Sequence, residues 1–126
     1  MKVLHVESGR YLYGGARQVL YILEGLKARG VDNLLACPPG SDIAKAAGAA
    51  AQVFEVPMAG DADVGLVLRL RRLIQRERPH LVHLHSRRGA DLFGGLAAER
   101  VVPVDVREVP APPGEIALSV LARRTR

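Results

Sequence analysis

Tryptophan is absent from this sequence of 126 residues, and three tyrosines and two phenylalanines are its only large aromatics. Any core must therefore be packed chiefly from Ala, Leu and Val. A single cysteine, Cys37, excludes an intramolecular disulfide. Its place in the run Leu34-Leu35-Ala36-Cys37 predicts a buried, inert thiol, and the lack of a bridge suits a reducing compartment. No stretch approaches the roughly 20 apolar residues needed to cross a bilayer. The apolar opening from Met1 to Glu7 is too short for a signal peptide. The expected location is cytoplasmic, with the inner face of the membrane as the other expected place. There is no internal repeat and no low-complexity segment. Basic residues are not interleaved with aromatics as single-strand binding prefers, so no nucleic-acid partner is expected.

What is present suits one soluble-type domain: 48% hydrophobic residues, 25% charged residues, and a net charge of +5. The positive excess, mostly arginine, favours anionic partners such as phosphorylated ligands. Short apolar runs alternate with longer helical patterns. Strands are expected over Val3–Val6, Leu34–Cys37, Val53–Val56, Leu81–His85 and Val101–Val106. Helices are expected over Ala16–Ala28, ending at Gly30, and from a Ser41 or Asp42 cap to about Ala47. Another runs from an Asp61 or Asp63 cap over Val64–Arg78, closed by Pro79. Two more are expected over Ala90–Arg100 and, after the proline-rich 109–114, over Glu115–Arg124.

Strands apolar almost throughout are buried on both faces. The expectation is thus an α/β, three-layer Rossmann-like domain spanning 1–126, with a core over 1–109 and a proline-rich link and terminal helix over 110–126. Right-handed crossovers give a parallel sheet of about five strands in the order 3-2-1-4-5.

In such sheets ligands bind at the carboxyl ends of the strands, beside the point where strand order reverses. Two loops meet there. The first, from Glu7 to Gly15, brings Gly14 and Gly15 to the start of a helix, where free amides and the helix dipole favour an anion. It is neither a G-x-G-x-x-G fingerprint nor a G-x-x-x-x-G-K-[ST] loop, and glycines serving only the turn are the competing reading. The second loop, His85-Ser86-Arg87-Arg88-Gly89, offers an imidazole, a hydroxyl and two guanidinium groups able to clamp a phosphate; a solvated loop competes with that. Gly14, Gly15, His85, Ser86, Arg87 and Arg88 are the candidate binding residues.

His83 and His85 lie two apart and share a strand face, while His80 points elsewhere. Two ligands so spaced can begin a metal site, but no third is evident in the sequence, so no metal and no cofactor are expected. His5 and His83 are read as core residues making one hydrogen bond each. No serine has a nucleophile setting and no carboxylate pair stands out, so no catalytic residue is assigned. Along the helix 64–78, Arg69, Arg72 and Arg76 fall on one side, opposite Val64, Val67, Leu68, Leu70, Leu73 and Ile74. A solvated outer face on a core-packed helix competes there with a membrane-surface stripe.

The opening MKVLHVESGRYLYGGARQVLYILEGLKARG and the stretch IQRERPHLVHLHSRRGADLFGGLAA together resemble the amino-terminal lobe of family 4 glycosyltransferases. The resemblance spans about residues 1–106. It implies a two-lobed sugar-transferring enzyme of the GT-B fold that retains anomeric configuration. The amino-terminal lobe would hold the acceptor and a second lobe the nucleotide-sugar donor. The family's glycine loop maps onto Gly14 and Gly15, and the histidine ending its fourth strand maps onto His85. The donor-lobe pattern E-x7-E is absent, as is a histidine within 104–109. This chain alone is therefore expected to be catalytically incomplete.

The implied partners are a sugar or a phosphorylated or lipid-linked acceptor, as in envelope polysaccharide synthesis, with the donor bound by a further lobe. Peripheral membrane contact through the arginine-bearing helix is a further expectation. The other reading is an α/β association module without catalytic activity, forming a homodimer.

Overall fold

The computed structural model describes residues 1–59 and 63–85, and the backbone of 104–109 and 119–124. Strand β1 covers Lys2–Val6, helix α1 Gly14–Ala28, strand β2 Asp32–Cys37 and helix α2 Asp42–Ala46. A 3-10 turn over Ala47–Ala49 leads to β3 at Gln52–Glu55. Helix α3 then covers Val64–Glu77, followed by β4 at Leu81–Leu84, β5 at Val104–Val109 and β6 at Ser119–Arg124.

Local chemistry sets several boundaries. The Ser41 side chain accepts from the Ala44 N–H at the start of α2, and Asp63 accepts from the Leu66 N–H at the start of α3. Each satisfies an otherwise orphaned first-turn donor. Of the two caps expected for α3, Asp63 is the one used. Helix α1 gives way at Gly30, whose φ of 78° is a left-handed conformation that favours glycine.

The described strands form one sheet in the order β3-β2-β1-β4-β6-β5. β1, β2, β3 and β4 are mutually parallel, as the alternating pattern requires, and their 3-2-1-4 order matches the sequence reading. The rest needs correction. β6 pairs antiparallel with β4 and with β5, so the fifth strand is not the neighbour of β4. It is described over 104–109 and so runs past its expected end at Val106, while 101–103 lie outside the described residues. The terminal helix expected over Glu115–Arg124 is overturned where 119–124 forms β6. A short apolar run such as Val120-Leu121 fits helix or strand by pattern alone. The open edge of β4 offers unpaired N–H and C=O groups, and Leu84↔Val120 through Leu81↔Arg123 satisfy them. The expected helix 90–100 lies outside the described residues.

Two layers cover the sheet. On one face Leu4, Val6, Leu34, Ala36, Val82 and Leu84 pack against Leu66, Leu70, Leu73 and Ile74 of α3. On the other, Leu35 and Cys37 pack against Ala16, Val19 and Leu23 of α1 and Ile43 of α2. Cys37 is buried, as expected. Val64 and Leu68 do not join the core; they are 68% and 49% exposed.

Candidate active-site crevice and imidazole cluster

β1 and β4 lie side by side with Val6 opposite Leu84, and the His85 N–H donates to the Val6 carbonyl at 2.9 Å. The loops leaving these strands therefore start from one edge of the sheet. This is the strand-order reversal, because β2 lies on the other side of β1.

Gly14 and Gly15 open α1 at that edge and are exposed. Neither has a positive φ, and a Cβ built on either would meet nothing within 4 Å. Among the described residues, neither backbone conformation nor packing calls for glycine at these positions. What their bareness leaves is open access to the first-turn amides. Among the described residues no side chain caps those amides and the first turn holds no acidic residue, so the helix dipole there favours an incoming anion. The Asp42 carboxylate accepts the Leu12 N–H two residues before the helix. Beside them, the exposed rings of Tyr11 and Tyr13 lie 5.5 Å apart. Glu7, buried at the end of β1, accepts the Gly9 N–H at 2.8 Å and tightens the loop. Ser86, Arg87 and Arg88 lie outside the described residues.

His85 faces a setting that the sequence did not disclose. His5 is opposite His83 in the β1–β4 register and opposite Leu35 in β1–β2. Register neighbours share a sheet face, and alternation adds His85 to it. His5, His83 and His85 thus gather on the α1 side, with one ring nitrogen from each lying within 4.8 Å of the others. The rings of His83 and His85 are 3.7 Å apart and those of His5 and His85 are 5.1 Å apart and stacked.

Asn33 anchors the group. Its amide nitrogen donates to the Leu23 carbonyl at 2.8 Å and to the Ala50 carbonyl at 3.3 Å. That fixes the side-chain oxygen toward His5 Nε2, 3.3 Å away. An amide oxygen only accepts, so this network assigns the proton to Nε2 and leaves the Nδ1 lone pair of His5 facing His85 Nε2 at 2.8 Å.

Burial holds these rings neutral. Desolvation is the largest cause for His5, lowered to about 4, with His83 nearby adding to it and the Asn33 bond opposing it. Burial, then the two neighbouring imidazoles, lowers His85 to about 2, and burial lowers His83 as well. The reading of His5 as a core residue holds in that it is 0% exposed, but it makes two contacts and completes a trio. The missed signal was His5 itself: strands 1 and 4 being neighbours was already expected, and His5 is the residue of strand 1 that falls opposite His83. His80 does point elsewhere, accepting the Lys2 backbone N–H at 2.9 Å.

On α3, Arg72 and Arg76 are exposed, whereas Arg69 is half-buried and paired with Asp63. Among the described residues no helix is long and apolar enough to cross a membrane.

Known proteins place this architecture. Residues 13–124 match the model of the glycosyl transferase 4-like domain. MurG of Acinetobacter baumannii superposes with a TM-score of 0.62 at 13% identity, over 79% of this chain and 32% of that one. A glycosyltransferase from Rickettsia africae ESF-5 gives the same TM-score at 20% identity, over 79% of this chain and 27% of its own. At these identities the two structures speak for the fold, and the chain spans about a third or less of either protein's length. No protein of curated function matches in sequence. The family model covers all but the first twelve and last two residues of the chain, and on that match the chain belongs to the glycosyl transferase 4-like domain family.

Proposed function

We propose that this chain is the acceptor-binding amino-terminal lobe of a retaining, nucleotide-sugar-dependent glycosyltransferase, needing a donor-binding lobe for turnover. The observation that carries the reading is the bare start of α1. Among the described residues, two exposed glycines that neither conformation nor packing requires stand over first-turn amides without a side-chain cap at the strand-order reversal. Such a place suits the phosphate of a phosphorylated or lipid-linked sugar acceptor, or the diphosphate of a donor brought by the second lobe. Tyr11 and Tyr13 supply exposed ring faces beside it, on which the apolar face of a sugar ring can stack. Arg87 and Arg88, two and three residues past His85, add guanidinium groups for the same anion.

The lobe would bind and orient the acceptor, while chemistry at the anomeric carbon awaits the donor. Titration of the chain with sugar phosphates, followed by isothermal calorimetry, tests the site. The Arg87→Ala/Arg88→Ala double variant should bind at least about tenfold more weakly, since two charge-assisted contacts are lost. Equal binding by parent and variant would remove the arginines from the site. Hydrolysis of a nucleotide sugar by the chain alone would contradict the need for a second lobe.

A further inference from the structure

We propose that His5, His83 and His85 form a binding site for one divalent first-row transition ion of the zinc type. This goes beyond the sugar-transfer reading and does not depend on it. Three imidazole nitrogens from two adjacent parallel strands lie within 4.8 Å of one another. Zinc–nitrogen bonds of about 2.0–2.1 Å in a tetrahedron place such nitrogens roughly 3.3 Å apart. His5 Nδ1 and His85 Nε2, at 2.8 Å, would separate slightly to admit the ion. Small side-chain rotations of half-buried His83 would close the remaining distance.

The support behind His5 is what distinguishes this trio from chance proximity. A metal-binding imidazole ordinarily donates its second ring N–H to a fixed oxygen, which sets the tautomer and aims the lone pair. Here Asn33 provides that oxygen, and two backbone carbonyls hold Asn33 in the one orientation that does so. The lone pair of His5 Nδ1 is consequently directed at the centre of the trio. His85 would shift its proton from Nε2 to Nδ1 on binding, with no net change in protonation. Neutral imidazoles favour zinc, copper, nickel or iron over magnesium or calcium, which prefer oxygen. Three protein ligands also leave a fourth position for water or a ligand oxygen. His83 and His85 are only half-buried, which gives an ion a way in.

Untagged chain, stripped with chelator, should bind Zn2+ with a stoichiometry near one, and its melting temperature should rise with Zn2+ concentration. Co2+ should give the visible absorption of a four-coordinate nitrogen site and displace the ring proton resonances of His5, His83 and His85 but not of His80. His83→Ala and His85→Ala should each weaken Zn2+ binding at least about tenfold, and His80→Ala should leave it unchanged. The Co2+ spectrum of the parent decides the matter even if a variant fails to fold. Absence of a one-to-one complex in the folded parent at millimolar Zn2+ would overturn the proposal. Binding that His83→Ala and His85→Ala leave intact, or resonances of His80 shifting in place of the trio, would overturn it equally. Because sugar-phosphate binding is a separate measurement, either result leaves the acceptor site standing or falling on its own.

Discussion

The two faces of this sheet are built from the same four parallel strands and differ in nearly everything else. Under α3 the strands present Leu4, Val6, Leu34, Ala36, Val82 and Leu84, an unbroken apolar layer. Under α1 the same strands present Asn33, His5 and the His83–His85 pair beside Leu35 and Cys37. Side-chain alternation lets one strand serve both surfaces. The difference teaches where stability and chemistry reside: the apolar face needs no partner specificity, whereas every buried polar atom on the other needs a placed partner.

The largest effect should come from the apolar face. Leu70 is 1% exposed at its centre, and Leu70→Ala should cost about 2–5 kcal/mol in urea unfolding. A loss under 1 kcal/mol would mean that α3 is not packed as described. On the polar face, Asn33→Ala strands the Leu23 and Ala50 carbonyls together with the His5 N–H. A cost of about 1–3 kcal/mol is expected by the same assay. A neutral result would mean that water replaces the amide and that Asn33 does not position His5.

Acid sharpens the contrast further. His5 is held neutral down to about pH 4 against an ordinary value of 6.5. Between those values the unfolded chain binds a proton that the folded chain refuses, so stability must fall as pH falls. The slope from His5 alone is up to about 1.4 kcal/mol per pH unit. Unfolding measured with chelator present should show this loss between pH 6.5 and 5, and the Leu70→Ala variant should show the same slope. A flat profile would show that the imidazoles are not buried. The smallest effect has the opposite sign. Arg78 ends α3 with φ of 49°, a conformation that a side chain adopts at a cost, so Arg78→Gly should raise stability by about 0.5–1 kcal/mol. A lowered melting temperature would show that the Arg78 side chain contributes more than its backbone strain removes.

The apolar face was legible because its signal is local and periodic. The pattern over Val64–Arg78 announces α3 by its stripe and by a cap at Asp61 or Asp63, although Val64 and Leu68 proved exposed. The glycine turn and the histidine at the end of strand four were legible as candidates, since topology alone brings those strand ends together. His5 was not legible as a site residue. Its role depends on a partner 78 positions away in register, His83, and on an asparagine from a third strand. β6 escaped for a related reason: nothing within Ser119–Arg124 distinguishes a helix from a strand until a strand edge needs pairing.

The sequence by itself determined the parallel α/β alternation, the 3-2-1-4 order of the first strands and the starts of α2 and α3 to within two residues, each with two candidate caps, of which the structure uses Ser41 and Asp63. Those depend on side-chain period, capping and the handedness of crossovers, all encoded within a few neighbouring residues. Only tertiary structure decided that β6 would lie between β4 and β5, and that three imidazoles would converge behind one asparagine. Both depend on which backbone and side-chain groups remain unsatisfied once distant segments meet, a quantity that no local pattern contains.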